Sequence, residues 1–223
     1  MSARDQVLGA IRRSLKRGAL SGEARAAVEA HLREHPVNIV PARTAGTHED
    51  RVRLLEQWAA FNHATTARVV AADVPGAVSD YLASNNLPAR VVMAPDPALD
   101  HYDWNSRPML ERRRGLPEDA DRVTVTGALA GVAETGTLVF ASGPEHPTSL
   151  NLLPETHVVV LREADVVGPL EEVFTRLRAR YGEGVMPRTV NTVTGPSRTG
   201  DVEQQLELGA HGPRRLHILI VRD

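Results

Sequence analysis

Cysteine is absent from this 223-residue chain, and lysine occurs once, at Lys16. Without cysteine the chain can form no disulfide, supply no thiolate nucleophile and ligate no iron–sulfur cluster. Because arginine carries nearly all of the positive charge, the chain is suited to binding carboxylates or phosphates and unsuited to Schiff-base chemistry. These two scarcities exclude cysteine-based catalysis and argue against covalent catalysis by lysine.

Aromatic residues and long apolar runs are also scarce. Aromatics make up 4% of the sequence, and runs such as "HVVVL" and "ILIV" are far shorter than the roughly 18 residues that span a bilayer. The 26 basic and 28 acidic residues give a net charge of −2, which offers no electrostatic footprint for nucleic acid. We therefore expect a cytoplasmic protein with no membrane span and no nucleic-acid partner.

The first 45 residues have the pattern of two helices and a linker. Ser2 and Asp5 fit a capping box, and an apolar stripe follows, which favours an integral helix over the targeting segment that its arginines resemble. A second helix is predicted from residue 21 to residue 34, because Pro36 then ends the helical pattern. We assign residues 1–45 to N-terminal helices and a linker that pack on the main domain, and residues 46–223 to an α/β domain.

The remainder alternates predicted helices with short apolar strands. Helices are expected at 49–63, 74–84 and 170–181, and strands dominate from Arg122 onward. The runs Val158–Leu161 and Ile218–Val221 are apolar at consecutive positions, as in strands that are covered on both faces. This pattern predicts a mostly parallel, helix-flanked sheet. The arginines at 112–114 are interpreted as a solvated helix or loop face.

The pentapeptide "HLREH", residues 31–35, fits a zinc-binding pattern in which two histidines bind the metal and Glu34 acts as base. Pro36 follows immediately, and no convincing third ligand appears downstream. We interpret the match as coincidence on a solvated helix and expect no bound metal.

Glu134 lies between the small apolar run at 131–133 and the predicted strand at 138–140. Such a carboxylate is either a surface residue or a site residue whose burial would raise its pKa into the range of general acid–base catalysis. Thr135 and Gly136 form a tight turn whose backbone amides can face an anion. Glu134 is therefore a candidate catalytic residue, and Thr135 and Gly136 are candidate substrate-binding residues.

The loop at 142–151 is rich in polar side chains and includes His146. It follows one predicted strand and precedes another, a position where α/β proteins often build pockets. The alternative is a structured connection whose hydroxyls cap turns. His146 alone is not evidence for catalysis.

The stretch "TGPSRTGD", residues 194–201, is predicted to join a strand to a short helix around 202–208. A helix amino end presents free N–H groups, so Ser197, Arg198 and Thr199 could bind a carboxylate or phosphate, with His211 nearby. Asp201, a good N-cap, would place negative charge where the anion would sit. An anion pocket and a simple corner both remain open. We expect Glu134 and this turn to share a cleft at the carboxyl edge of the sheet.

The segments "AETGTLVF", "SLNLLPETHVVVL", "GPSRTGDVEQ" and "GAHGPRRLHILIV" resemble the LUD-domain family, in its lactate utilisation protein C branch. The resemblance implies a fold like that of the NagB/RpiA/CoA-transferase group. It also implies a role in oxidising L-lactate to pyruvate together with iron–sulfur partner proteins, which would carry the clusters that this cysteine-free chain cannot ligate.

Two functions follow from that resemblance. The first is an accessory or small-anion-binding subunit of an L-lactate utilisation system. The second is a stand-alone enzyme that uses Glu134 on a small carboxylate, phosphorylated or CoA-linked substrate.

Overall fold

The computed structural model describes residues 2–16, 18, 20–200 and 206–222. The chain divides into two compact units, residues 1–39 and residues 40–223. The first unit contains helices α1 (Ala3–Ser14) and α2 (Gly22–Glu34). Ser2 and Asp5 form the predicted capping box at the start of α1. The packing of these helices on the main domain stays a prediction.

A six-stranded sheet forms the centre of the second unit. Its strand order is β1 (Thr65–Val70), β12 (Arg215–Arg222), β7 (Thr156–Arg162), β4 (Val123–Gly127), β2 (Arg90–Met93) and β3 (Glu111–Arg114). Every neighbouring pair is parallel. The predicted mostly parallel, helix-flanked sheet is confirmed.

Helices pack on both faces of this sheet because its central strands are apolar on both faces. In β7, Val158 and Val160 contribute to one core cluster, which includes residues of α4 (Val74–Ser84). Val159 and Leu161 contribute to the opposite cluster, which includes residues of α3 (His48–Phe61). Successive side chains of one strand thus fill two separate cores.

A second, smaller sheet has four strands in the order β8 (Val166–Val167), β5 (Ala130–Val132), β6 (Thr137–Ala141) and β9 (Val190–Val193). β5 and β8 are parallel, whereas β6 is antiparallel to both of its neighbours. This sheet and α6 (Glu171–Tyr181) share a third core. The short helix α5 (Ser149–Leu152) lies between β6 and β7.

The predicted helix around 202–208 is wrong over its last residues. Leu206–Leu208 is strand β11, which pairs antiparallel with β10 (Arg198–Gly200), and residues 201–205 lie outside the described part of the chain. The apolar residues at 206 and 208 are two apart, which also satisfies the strand period. Arg198 and Thr199 therefore lie in a strand and not at a helix amino end.

The arginines at 112–114 lie on edge strand β3 and not on a helix or loop, although Arg112 and Arg114 are exposed, as expected of a solvated face. Arg114 donates to the backbone carbonyls of Ala94 and Asp96, each at 3.3 Å, and pairs with Asp100. An edge strand with charged side chains resists pairing with other chains. Arg114 also fastens the segment that leaves β2.

Within the described residues, no helix is both long and apolar enough to cross a membrane.

Candidate functional site

The predicted anion turn lies at the amino edge of the large sheet. The Ser197 N–H donates to the Pro213 carbonyl at 2.8 Å, and the His211 N–H donates to Ser197 Oγ at 3.2 Å. Pro213 stands two residues before β12 begins at Arg215. The expected location at the carboxyl edge is therefore wrong, because a segment that leads into a strand of a parallel sheet lies at the amino edge.

Thr135 and Gly136 lie in the β5–β6 turn and meet the 194–198 segment at the carboxyl end of α3. Asn62 Nδ2 donates to the Thr135 carbonyl at 3.1 Å. A hydroxyl chain also links Thr135 to Thr137 at 2.6 Å and Thr137 to Thr194 at 2.7 Å. The structure thus brings these two predicted segments together, on the edge opposite to the predicted one.

Close backbone packing explains the glycine at 136. Its φ is +70°, and a Cβ there would lie 2.7 Å from the backbone of Trp58 and Ala59. Contact with α3 therefore sets the position of Gly136. Anion binding by its backbone amide stays a prediction.

Both carboxylate oxygens of Glu134 already have partners within the protein. Its Oε2 accepts the N–H of Leu170, the residue that caps α6, at 3.1 Å, and its Oε1 lies 4.0 Å from Arg43 Nη2. A negative charge at a helix amino end is stabilising. These contacts are those of a residue that fastens α6 to the β5–β6 turn, and a catalytic role for Glu134 stays a prediction.

Arg198 is exposed beside an open hollow of about 630 Å³. The hollow is also lined by Phe61, Asn62, His63, Thr194 and Pro196. Thr199 pairs through its backbone with Glu207 in the β10–β11 hairpin. Anion binding by Ser197, Arg198, Thr199 and His211 stays a prediction.

The two histidines of "HLREH" lie at the end of α2, with His35 as its C-cap in the left-handed conformation. Over the described residues, no group of three or more histidines and carboxylates is arranged to hold a metal ion. The metal content of the purified protein stays a prediction that elemental analysis would check.

The carboxyl edge of the large sheet holds a different site, which we call the charged cavity. It has a volume of about 350 Å³. Its charged lining residues lie at or after the carboxyl ends of strands β2 and β7, in the 142–151 loop and on α6: Asp96, His146, Arg162, Asp165, Arg176 and Arg180. Open parallel sheets commonly bind ligands at this edge.

Asp96 and His146 form a pair on one side of the charged cavity. His146 Nε2 lies 3.1 Å from Asp96 Oδ2, and Asp96 Oδ1 accepts the N–H of Ala98 at 2.9 Å. Burial raises the pKa of Asp96, but the hydrogen bond from His146 and that from the Ala98 backbone outweigh burial, so the pKa lies below its usual value of 3.8. Asp96 is therefore an anion that orients the imidazole through its Nε2.

Gly127, the last residue of β4, allows this pair to form. A Cβ at position 127 would lie 2.9 Å from Asp96 Oδ2 and 3.7 Å from His146 Cε1. The first distance is shorter than real Cβ contacts allow, so any other residue would displace the carboxylate.

Three arginines supply the positive charge of the charged cavity. Asp165 accepts from Arg162 Nε and from Arg176 Nη1, both at 2.7 Å. Arg176 and Arg180 are four residues apart on α6 and therefore lie on one face of it. Within the described part of the chain, Arg180 lies within 4.0 Å of no carboxylate, and its charge acts on Asp96 over a longer distance. Among the described residues that line the cavity, three guanidinium groups against two carboxylates give one surplus positive charge.

Two sequence signals point to this cavity, although none of its residues is among the predicted site residues. The 142–151 loop follows one strand and precedes another, where α/β proteins often build pockets, and His146 is the loop residue that lines the cavity. Charged residues also stand at the carboxyl ends of the apolar strands β2 and β7: Arg162 is the last residue of β7, and Asp96 lies three residues after β2. The pairing of Asp96 with His146 has no sequence signal, because fifty positions separate them.

The LUD domain family model matches residues 37–221. A protein of Deinococcus radiodurans called lactate utilization protein C is 29% identical over 204 residues, which cover 85% of this chain and 86% of that protein. A Bacillus subtilis protein of the same name is 28% identical over 150 residues, which cover 60% of this chain and 62% of that protein.

A solved structure is also similar to this chain. It is the crystal structure of a DUF162 family protein from Deinococcus radiodurans, with 26% sequence identity and a TM-score of 0.62. The similarity covers 79% of this chain and 99% of that one. The likeness extends over nearly the whole of the solved chain.

Proposed function

Since this chain belongs to the LUD domain family, we propose that it takes part in L-lactate utilisation and binds L-lactate in the charged cavity. In this proposal it is a small-anion-binding subunit that works with iron–sulfur partner proteins in oxidising L-lactate to pyruvate. Its similarity to relatives called lactate utilization protein C supports a role in lactate utilisation. We choose this site because the Asp96–His146 pair and Arg180 line the same cavity.

A 2-hydroxy carboxylate matches the groups in this cavity. Its carboxylate pairs with the guanidinium of Arg180, which forms no salt bridge within 4.0 Å among the described residues. Its hydroxyl donates to His146 Nδ1, and the anionic Asp96 stabilises the imidazolium that forms when His146 takes the hydroxyl proton. A positioned base of this kind typically contributes about 10²–10⁴-fold to a rate.

The charge of the cavity favours a monocarboxylate over a phosphorylated or CoA-linked substrate. One surplus guanidinium balances the single charge of lactate. A phosphate dianion would leave negative charge beside the carboxylates of Asp96 and Asp165, where like charges repel. The contacts of Glu134 with Leu170 and Arg43 likewise give no support to the alternative enzyme based on Glu134.

Calorimetric titration of the purified chain tests the proposal. L-lactate should bind, whereas phosphate and coenzyme A should bind more weakly. Arg180→Gln should weaken L-lactate binding by about thirtyfold, the effect of losing a charge-assisted pair worth about 2 kcal/mol. Arg178→Gln on the same helix is the matched control, because Arg178 does not line the cavity. Absence of L-lactate binding, or equal loss in both variants, would overturn the proposal.

A further inference from the structure

A second compartment adjoins the charged cavity and has about the same size, 320 Å³. The two share five lining residues: Asp96, Ala98, Ala128, Arg162 and Asp165. They are therefore two parts of one cleft along the carboxyl edge of the large sheet. Asp96 stands at their boundary.

The second compartment differs from the first in its lining. Apart from the shared residues, it is bounded mainly by apolar side chains and an aromatic ring, from Ala71, Leu99, Tyr102, Val160 and Val221. His101 and Gly127 complete its lining. Leu99, Val160 and Val221 belong to the buried core and form a fixed wall. We call this part of the cleft the apolar compartment.

On the β4 side, small residues stand where the two parts meet, whereas Asp96, Arg162 and Asp165 line the rest of the boundary. Gly127 and Ala128 follow each other at the end of β4, and Ala128 lines both compartments. A strand end without large side chains lets a ligand approach the backbone closely. A flat group in the apolar compartment can therefore lie next to a small ligand that is held by His146 and Arg180.

Oxidation of lactate requires such a neighbour. The hydrogen on C2 leaves with two electrons, and a group in contact with C2 must accept them. This chain has no cysteine and so cannot place a thiolate-ligated iron–sulfur cluster there. Nicotinamide and flavin rings are planar organic groups that accept a hydride, and apolar pockets with a few polar groups are typical binding sites for such molecules.

We infer that the apolar compartment binds a planar heteroaromatic hydride acceptor, of the flavin or nicotinamide class, beside the lactate in the charged cavity. This inference rests on the proposed function. In the reaction, the C2 hydride passes to the ring, the hydroxyl proton passes to His146 Nδ1, and the C2–O bond becomes the carbonyl of pyruvate. The ring is reduced by two electrons, which then leave to the iron–sulfur partners.

Two alanines allow the compartment to be blocked without disturbing the core. Ala71 lines the apolar compartment and is exposed, whereas its neighbour Ala72 is exposed and does not line it. Ala71→Trp should fill the compartment from its rim. Ala72→Trp adds the same side chain one residue away and is the matched control.

The experiment measures ring binding and lactate binding separately on the full chain. Flavin mononucleotide is titrated by its fluorescence and NAD⁺ by calorimetry, which distinguishes the two classes of ring. L-lactate is titrated by calorimetry in the same samples. One ring should bind to the wild type and to Ala72→Trp, and its affinity should fall about tenfold or more in Ala71→Trp, with L-lactate affinity kept.

The outcomes separate this inference from the proposed function. If L-lactate binds but neither ring does, or if Ala71→Trp binds the ring as the wild type does, the hydride-acceptor site is wrong and the lactate site stands. If a ring binds and only Ala71→Trp weakens it, while L-lactate does not bind, the ring site stands and the proposed function falls.

Discussion

Gly127 and Asp96 are packed so closely that a Cβ on residue 127 would lie 2.9 Å from the Asp96 carboxylate. Gly127→Ala should therefore move Asp96 away from His146 and weaken L-lactate binding by about tenfold, because the imidazole loses its fixed orientation. Calorimetry measures the affinity. Gly143→Ala in the neighbouring loop is the control, since a Cβ there meets no atom of the described residues within 4 Å. Equal affinity in both variants would contradict a positioning role for Gly127.

Replacing Glu134 distinguishes a structural from a catalytic carboxylate. Glu134→Ala removes the acceptor for the Leu170 N–H, so the free energy of unfolding should fall by about 1 kcal/mol. L-lactate affinity should stay at the wild-type value, because Glu134 does not line the charged cavity. Chemical denaturation and calorimetry measure the two quantities, with exposed Glu145→Ala as control. Unchanged stability with lost binding or activity would favour the catalytic hypothesis.

Buried histidines should make the protein less stable in acid. Burial lowers the pKa of His217 to about 4, although its hydrogen bond with Thr65 opposes the shift. Because the unfolded chain then binds more protons than the folded one, the His217 contribution is present above the ordinary pKa of 6.5 and is lost as the pH falls towards 4.

Between pH 6.5 and pH 4, each histidine that is buried in its neutral form lowers the free energy of unfolding by about 1.4 kcal/mol for every unit by which the pH falls. His217→Gln does not titrate, so its free energy of unfolding should fall less steeply than that of the wild type between pH 6.5 and pH 4.5. Urea denaturation at several pH values measures the slopes. His157, whose pKa burial lowers to about 3, contributes equally to both proteins. Identical slopes would show that His217 is not a buried neutral group.

Arg198→Ala tests the anion site predicted at the amino edge. Arg198 is exposed and belongs to β10, so the melting temperature should change little. If the 194–199 segment binds anions, phosphate affinity should fall about thirtyfold with the loss of about 2 kcal/mol. The titration is done in an Arg180→Gln background, so that the charged cavity does not contribute. A lower melting temperature with unchanged phosphate affinity would make Arg198 a structural residue.

The sequence alone determined the main architecture. The runs of consecutive apolar residues in β7 and β12 indicated strands that are covered on both faces. The helix predicted at 74–84 has the same bounds as α4. These features depend on neighbours in the chain, which the periodicity of side chains records. The family resemblance came from short segments for the same reason.

Tertiary structure decided which residues meet. The strand order places β4 between β7 and β2, and that order brings Asp96, Gly127 and His146 to one point. It also turns the 194–198 segment to the amino edge, where Ser197 bonds to Pro213. Leu206–Leu208 became a strand because it pairs with β10. Contacts of this kind depend on how distant segments pair, and no local pattern of residues encodes that pairing.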